Sequence, residues 1–393
     1  MKIYLDNAAT TPCDKRVVES MLPYFAEDFG NADSQQGYGR DTAKAVADAR
    51  ETVAKVLNCA TNELYFTGSG TEADNWALKG VALQRREKGN HVIISAVEHH
   101  AVLNAAEWLV RQGFRVTKLP VDAKGRVSVA DLESVIDDKT ILVSVMYANN
   151  EVGTIQPVKE LAEVAHRHGA LFHSDCVQAI PYMKIDVKEL GLDLATISAH
   201  KFYGPKGVGA LYIRNGVKLD KLICGGGQER SQRGGTTNTP AVVGMAKALT
   251  LCQEELQKNN MHIAALRDHF VERVLAEIPY VRFNGDVEHR VPAVANFSFE
   301  FVEGEGILML MDFHGVAVSS GSACSSGSLD PSHVLLAMGV PIEISHGSIR
   351  FSFGKHNTME EVDYAVDALK DTIEKLRAMS PLFNLKKGEV HNV

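Results

Sequence analysis

The chain has 393 residues, enough for two or three domains around a large core. Its hydrophobic content of 45% and charged content of 23% are those of a globular protein, and a formal charge of −8 argues against nonspecific binding to a nucleic-acid backbone. The start "MKIYLDNAATTP" lacks a signal-peptide core, no apolar run approaches the roughly eighteen residues of a membrane span, and the six scattered cysteines contain no C-x-x-C pair, so a cytoplasmic protein without a disulfide framework is expected.

Strand-like and helix-like segments alternate from residue 62 onward. "NELYFTG" precedes the helical "TEADNWALKGVALQRREKG", and "HVIISA" precedes "AVLNAAEWLVRQG". Then come the strand "FRVTKLPV", the helix "VADLESVIDD", the strand "TILVSVMYAN", the helix "VKELAEVAHRHG" and three further strands, "ALFHSD", "LATISAH" and "GALYIR". Continuous apolar strands alternating with helices imply an α/β fold, a mostly parallel sheet covered on both faces. Two long helical patterns, "PAVVGMAKALTLCQEELQKN" and "MHIAALRDHFVERVLAEI", follow. The short strands "VANFSFE", "VAVSSG" and "SIRFSFG" and the final helix "TMEEVDYAVDALKDTIEKLRAM" then read as a smaller α+β domain beginning near residue 262.

In open α/β sheets, ligands gather at the carboxyl ends of the strands. The segments there are "TGSGTEADN", "VEHHAV", "ANNEVG", "HSDCVQ" and "SAHKFYGPKG". They supply an anion-binding turn, His99, Asn150, Asp175, Gln178 and Lys201, which are the parts a pyridoxal phosphate site needs. Lys201, between a strand and a Gly/Pro loop, suits Schiff-base chemistry, although a single lysine is more often a surface residue. Asp175 at a strand end suits a pyridinium nitrogen; the rival reading, a metal site with His173 at i−2, lacks further ligands of suitable spacing. Gln178 could donate to the ring's phenolic oxygen. In "FTGSGTEADNW" the turn through Gly70 opens a helix whose first amides, with Thr71, could hold phosphate. That stretch alone also satisfies G-x-G-x-x-A through Gly68, Gly70 and Ala73, a nicotinamide-type fingerprint. Lys201, Asp175 and Cys324 have no evident work in a nicotinamide enzyme. His99 could stack on a cofactor ring and shuttle protons, or simply be solvated. Arg350, in "GSIRFSFG", suits a substrate carboxylate, though a structural ion pair is the ordinary use. Cys324 stands in the Gly/Ser run "SSGSACSSGS", where accessibility favours reactivity over packing.

With these residues in place, the chain resembles the cysteine desulfurases of the NifS/IscS type, within the class V aminotransferase-like, fold-type-I pyridoxal phosphate enzymes. The motifs carrying the resemblance are "YLDNAATTP", "SAHKFYGPKGVGALY", "MYANNEVGTIQP", "GGGQE" with "RGGTTN", "VSSGSACSSGSLDPSHVL" and "SIRFSFGKHNTMEEVD", in order along nearly the whole chain. The resemblance implies that Lys201 holds pyridoxal 5'-phosphate and that Asp175 and Gln178 meet its ring nitrogen and phenolic oxygen. It implies that His99 stacks on the ring and that Thr71, Ser198 and His200 bind the phosphate. Thr236 would reach the phosphate of the partner subunit in a homodimer. Asn150 and Arg350 would hold the carboxylate of the substrate, L-cysteine, and Cys324 would carry the product persulfide. It also implies a large cofactor-binding domain over residues 16–261, and a smaller domain from residues 1–15 and 262–393 that carries Cys324.

The chemistry so implied has L-cysteine displace Lys201, whose amine removes the Cα proton. Cys324 thiolate then takes the sulfur, and alanine leaves. A sulfur-acceptor protein, such as an iron–sulfur scaffold, would discharge the persulfide. A selenocysteine lyase or an aminotransferase could use the same cofactor residues, and a sulfur-carrying module with a decayed site is the non-enzymatic rival. Two departures from the family pattern stand out: "GNADSQQGYG" has Ala32 and Gln36 where proline and histidine are usual, and Cys176 replaces a common alanine beside Asp175. Cys176 is expected to be a small packed residue.

Overall fold

A computed structural model describes residues 2–320 and 331–383; Cys324 lies outside them. The strands in chain order are β1 (Ile3–Tyr4), β2 (Leu64–Thr67), β3 (His91–Ser95), β4 (Arg115–Leu119), β5 (Thr140–Ser144), β6 (Leu171–Asp175), β7 (Leu194–Ser198), β8 (Gly209–Ile213), β9 (Val281–Asn284), β10 (Val294–Phe299), β11 (Val316–Ala317), β12 (Ser319–Ser320) and β13 (Ser348–Ser352). Seven of them form one sheet in the order β2-β8-β7-β6-β5-β3-β4. Pairing is parallel from β4 through β7, and β8 runs antiparallel to both β7 and β2. The sheet is therefore mostly parallel, as the alternating pattern implies.

Every residue of β3, β5, β6, β7 and β8 is buried, which explains their unbroken apolar character. Alternate side chains feed two cores. Val92, Ile94, Leu142, Leu171, Leu194 and Leu211 pack with the helices Gly70–Gln84 and His100–Arg111 on one face. Ile93, Val143, Phe172, Ala195, Ile197 and Ala210 join a larger cluster on the other. The edge strand β4 keeps Arg115 and Lys118 exposed, which suits an unpaired edge.

The second sheet, β12-β13-β10-β9, is antiparallel throughout. Its face packs on the helix Leu256–Glu277, where the Phe270 ring lies 4.6 Å from Phe351 and 5.4 Å from Phe353. These aromatics belong to the same apolar cluster as the large sheet. The final helix, Met359–Met379, starts at a capping box in which Thr358 and Glu361 satisfy each other's backbone amides.

Three details depart from the sequence pattern for identifiable reasons. The strand expected over "TILVSVMYAN" ends at Ser144, because the Met146 amide turns to the Glu98 carboxyl instead of the ladder. "VAVSSG" is two short strands, since β11 pairs with β1 and β12 with β13. The helix Gly37–Leu57, with no counterpart in the expected elements, begins at the unusual Gln36, whose side-chain oxygen accepts from the Gly39 amide at 3.1 Å. Gln36 is thus a helix cap.

Candidate active site

The carboxyl ends of β3, β5, β6 and β7, the start of the helix Gly70–Gln84 and the segment Ala8–Thr10 enclose a cavity of about 520 Å³. Gly70, Thr71, His99, Asn150, Asp175, Gln178, Ser198, His200, Lys201 and Arg350 all line it. Thr236 does not. It lines a neighbouring cavity of about 220 Å³, which shares Gly207 with the first.

β7 delivers Lys201 through Ser198 and a single 3-10 turn, Ala199–Lys201. The N-terminal segment braces that turn: Thr11 donates its amide and hydroxyl to the His200 carbonyl, and accepts from the Tyr203 amide. The Lys201 ammonium donates to the carbonyls of Ala8 and Ala9 at 2.6 and 2.7 Å. Gln178 Nε2 donates to the same Ala8 carbonyl at 2.8 Å, which leaves its second N–H for another acceptor.

Asp175 ends β6 and is buried, with Oδ1 accepting from the Val177 amide at 2.9 Å. Burial pushes its carboxyl up to about 6, against the pull of Lys201. Two more buried carboxyls stand behind it. Glu98 accepts from the Ser95 hydroxyl and the Met146 amide through Oε1, and burial pushes it up to about 8. Asp74 is raised well above the usual carboxylate range by burial and by Asp175, and its Oδ1 lies 3.6 Å from His173 Nε2. Of the three, Asp175 is the one that Lys201 pulls back toward ionisation, whereas burial and the neighbouring Asp175 push Glu98 and Asp74 toward the protonated form. His173 places both ring nitrogens against the hydroxyls of Ser144 and Thr196, at 2.8 and 3.1 Å.

The two site histidines are neutral. His99 caps the helix His100–Arg111, its Nδ1 accepting from the Ala101 amide at 3.1 Å, so its proton resides on Nε2. Burial and then Lys201 pull it down to about 4. The same two causes, in that order, hold His200 at about 4, with Nδ1 3.1 Å from the Thr10 hydroxyl.

On the opposite wall, Ser69 caps the helix Gly70–Gln84 and so aims its first amides into the cavity. A Cβ at Gly70 would sit 3.1 Å from Val177 and 3.3 Å from Ser198, so only a bare backbone leaves room there. Across the cavity, buried Arg350 donates through Nη1 to the Asn150 carbonyl at 2.9 Å and through Nη2 to Asp6 at 2.8 Å. Its Nε has no partner among the described residues. Asp6, Asp74, Glu98 and the carbonyls of Ala8 and Ala9 are site features that the sequence reading assigned no role. The motif "YLDNAATTP" was the available signal for the N-terminal ones. Cys176 is fully buried in the larger core, and burial pushes its thiol far up, as befits a packed residue.

A primary amine, a helix N-terminus free of side-chain bulk and a buried carboxylate face one another across a cavity at the strand ends. That donor set fits pyridoxal phosphate, and with a mostly parallel α/β sheet it defines a fold-type-I pyridoxal phosphate-dependent enzyme. Comparison with known proteins agrees. The aminotransferase class-V profile matches residues 3–365. The chain is 51% identical to "Cysteine desulfurase IscS" of Clostridium botulinum over 384 residues, 97% of each protein. It is likewise 51% identical to "Cysteine desulfurase IscS" of Methanosarcina thermophila over 380 residues, 97% of this chain and 94% of the relative. Among solved structures, a "NIFS-LIKE PROTEIN" superposes with a TM-score of 0.90 at 40% identity, covering 95% of this chain and all of that one. "SspA in complex with cysteine" superposes with a TM-score of 0.80 at 33% identity, over 91% of this chain and all of the other. The chain belongs to the cysteine desulfurases of the class-V aminotransferase family.

Proposed function

We propose that the protein converts L-cysteine to L-alanine and retains the sulfur as a persulfide on Cys324. The observation that carries this reading is Arg350, a buried guanidinium whose Nε has no partner among the described residues, in the same cavity as Lys201. Its planar fork, beside Asn150, suits the carboxylate of an amino acid. Bound pyridoxal phosphate would supply an electron sink for a negative charge developing at the substrate Cα.

The chain's own residues do the rest. Lys201 would hold the cofactor's aldehyde, and its amine, when free, would take the substrate Cα proton. Asp175 would keep the cofactor's ring nitrogen protonated, a role that requires it, and not Glu98 or Asp74, to be the ionised carboxyl. Neutral His99 would move a proton through Nε2, and the spare N–H of Gln178 would be available to the cofactor's phenolic oxygen. Gly70, Thr71, Ser198 and His200 would hold the phosphate, and Thr236 would do so from the partner subunit of a homodimer. Cys324 thiolate attacks the substrate sulfur; the S–S bond forms as the C–S bond breaks, and the carbon skeleton leaves as alanine.

The division into residues 16–261, holding the cofactor, and residues 1–15 with 262–393, carrying Cys324, suits this traffic. The persulfide passes to an acceptor protein such as an iron–sulfur scaffold, in the cytoplasm. Among the described residues, no helix is long and apolar enough to cross a membrane. The test is incubation of the holoenzyme with L-cysteine, measuring alanine and mapping persulfide by mass spectrometry. Alanine with a persulfide on Cys324 is expected; a keto acid, or sulfur on another cysteine, refutes the reading.

A further inference from the structure

The segment that follows Cys324 returns to the described structure at residue 331, directly beside the substrate-carboxylate residues. Ser332 donates its hydroxyl to Glu151 Oε2 at 2.5 Å, and Ser332 Oγ itself accepts from the Leu335 amide at 3.3 Å to cap the short helix His333–Ala337. His333 Nε2 donates to the Glu98 carbonyl at 3.0 Å, and its ring lies 4.9 Å from that of His100. Behind them Val334, Leu335, Met338 and Val340 pack against Val97 and Val152 in a small apolar cluster of their own. Glu151 is itself rigidly held. Its amide donates to Asn149 Oδ1 at 2.8 Å, and its carbonyl accepts from Asn296 at 3.1 Å. It follows Asn150, whose carbonyl receives Arg350. On the other side of Cys324, Ser319 pairs directly with Arg350 in the sheet.

Both flanks of the Cys324 segment are therefore tied to the loop and strand that carry Asn150 and Arg350. A buried carboxylate spent on a serine hydroxyl is a costly arrangement unless it fixes something, because burial disfavours the charge that the bond uses. What it fixes is residue 332, eight positions beyond the nucleophile (332 − 324). We propose that Glu151 and Ser332 are positioning residues for sulfur transfer: their hydrogen bond anchors the chain after Cys324 to the substrate-carboxylate loop, and so sets the reach of the thiol toward the bound substrate. This rests on the persulfide role of Cys324 proposed above. A misplacement of reacting atoms by about 1 Å costs on the order of a hundredfold in rate. Release of the anchor is therefore expected to slow sulfur transfer by at least about tenfold while leaving substrate binding intact.

The experiment uses the holoenzyme with Ser332→Ala, Glu151→Ala, the double variant and Ser332→Thr, which keeps the hydroxyl. Two readouts are compared: the spectral change of the bound cofactor on titration with L-cysteine, and the single-turnover rate of persulfide formation on Cys324. Support is an at least tenfold slower rate in each alanine variant, an unchanged L-cysteine dissociation constant, a double variant no slower than the worse single, and near-parent behaviour for Ser332→Thr. The proposal falls if the single variants stay within about twofold of the parent, if their effects multiply in the double, or if the dissociation constant rises in step with the rate loss. It also falls if threonine fails to rescue. Should Glu151→Ala fail to take up cofactor, the alanine and threonine variants of Ser332 decide alone. A parent enzyme that forms no persulfide on Cys324 overturns the functional reading itself, before any variant is compared.

Discussion

Replacing Arg350 with lysine isolates what the guanidinium fork contributes. In the structure Nη1 is committed to the Asn150 carbonyl and Nη2 to Asp6, while Nε has no partner among the described residues. A lysine ammonium keeps the charge and the Asp6 pairing, but its single nitrogen cannot also hold the Asn150 carbonyl and face a substrate carboxylate. The expected loss is about one charge-assisted hydrogen bond, about 1.5–3 kcal/mol. At about 1.4 kcal/mol per factor of ten, the KM for L-cysteine should rise about 10- to 150-fold. Cofactor absorbance should be unchanged, since none of these partners belongs to the phosphate or ring-nitrogen groups. The assay is steady-state alanine formation across L-cysteine concentrations, with spectral titration of the bound cofactor as the direct measure of binding. An R350K enzyme whose KM stays within about twofold of the parent would refute the assignment of Arg350 to the substrate carboxylate.

Cys324→Ser should retain the cofactor's visible absorbance and the spectral response to L-cysteine, yet form no persulfide; loss of the absorbance as well would contradict the division of labour between Lys201 and Cys324. Gly70→Ala places a Cβ 3.1 Å from Val177 and 3.3 Å from Ser198, an overpacking worth about 1–3 kcal/mol against the phosphate wall. Titration of the apoprotein should then show pyridoxal phosphate binding weakened about tenfold or more. Glu98, pushed by burial from 4.5 up to about 8, stabilises the fold relative to the unfolded chain at low pH, and that contribution is lost as pH rises through this window. In Glu98→Gln the fall in Tm between about pH 5 and about pH 9 should be smaller than in the parent, and an equal fall would show that Glu98 does not titrate in it.

What the sequence made legible, and what it hid, divides along physical lines. β3, β5, β6 and β7 could be read because burial on both faces forces apolar runs, and the site residues could be placed because parallel strands present their carboxyl ends together. Asp175 ends β6, and Lys201 and His99 come three and four residues after β7 and β3, so local pattern was enough. Arg350 could be assigned to a strand, but its partner Asp6 is 344 positions away and no periodicity links the two. The same holds for the Ala8 and Ala9 carbonyls that receive Lys201 from 193 and 192 positions away. The reversed direction of β8 was equally hidden, since strand burial reads the same in either direction. Gln36 looked like an anomaly because the family pattern has histidine there, whereas locally it is an ordinary helix cap.

The charge state of the site could not have come from sequence at all. Asp74, Glu98 and Asp175 are three acids 24 and 77 positions apart along the chain, and each alone would be written as ionised. Burial raises all three, Asp175 adds to the rise at Asp74 and Glu98, and only Asp175 also has Lys201 lowering it. The histidines move the other way for the same reason, since burial beside Lys201 denies His99 and His200 a proton. The carboxylate retained at Asp175 is therefore bordered by acids and histidines that burial keeps toward their uncharged forms. Of the three acids, then, Asp175 should be the one whose replacement by asparagine abolishes turnover, because an amide there leaves the ring nitrogen without its anion. Asp74→Asn exchanges one neutral polar group for another and should keep a large part of the activity. If both variants lost alanine formation equally, the site would carry two working carboxylates, and the ordering of the three acids derived from their burial would be wrong.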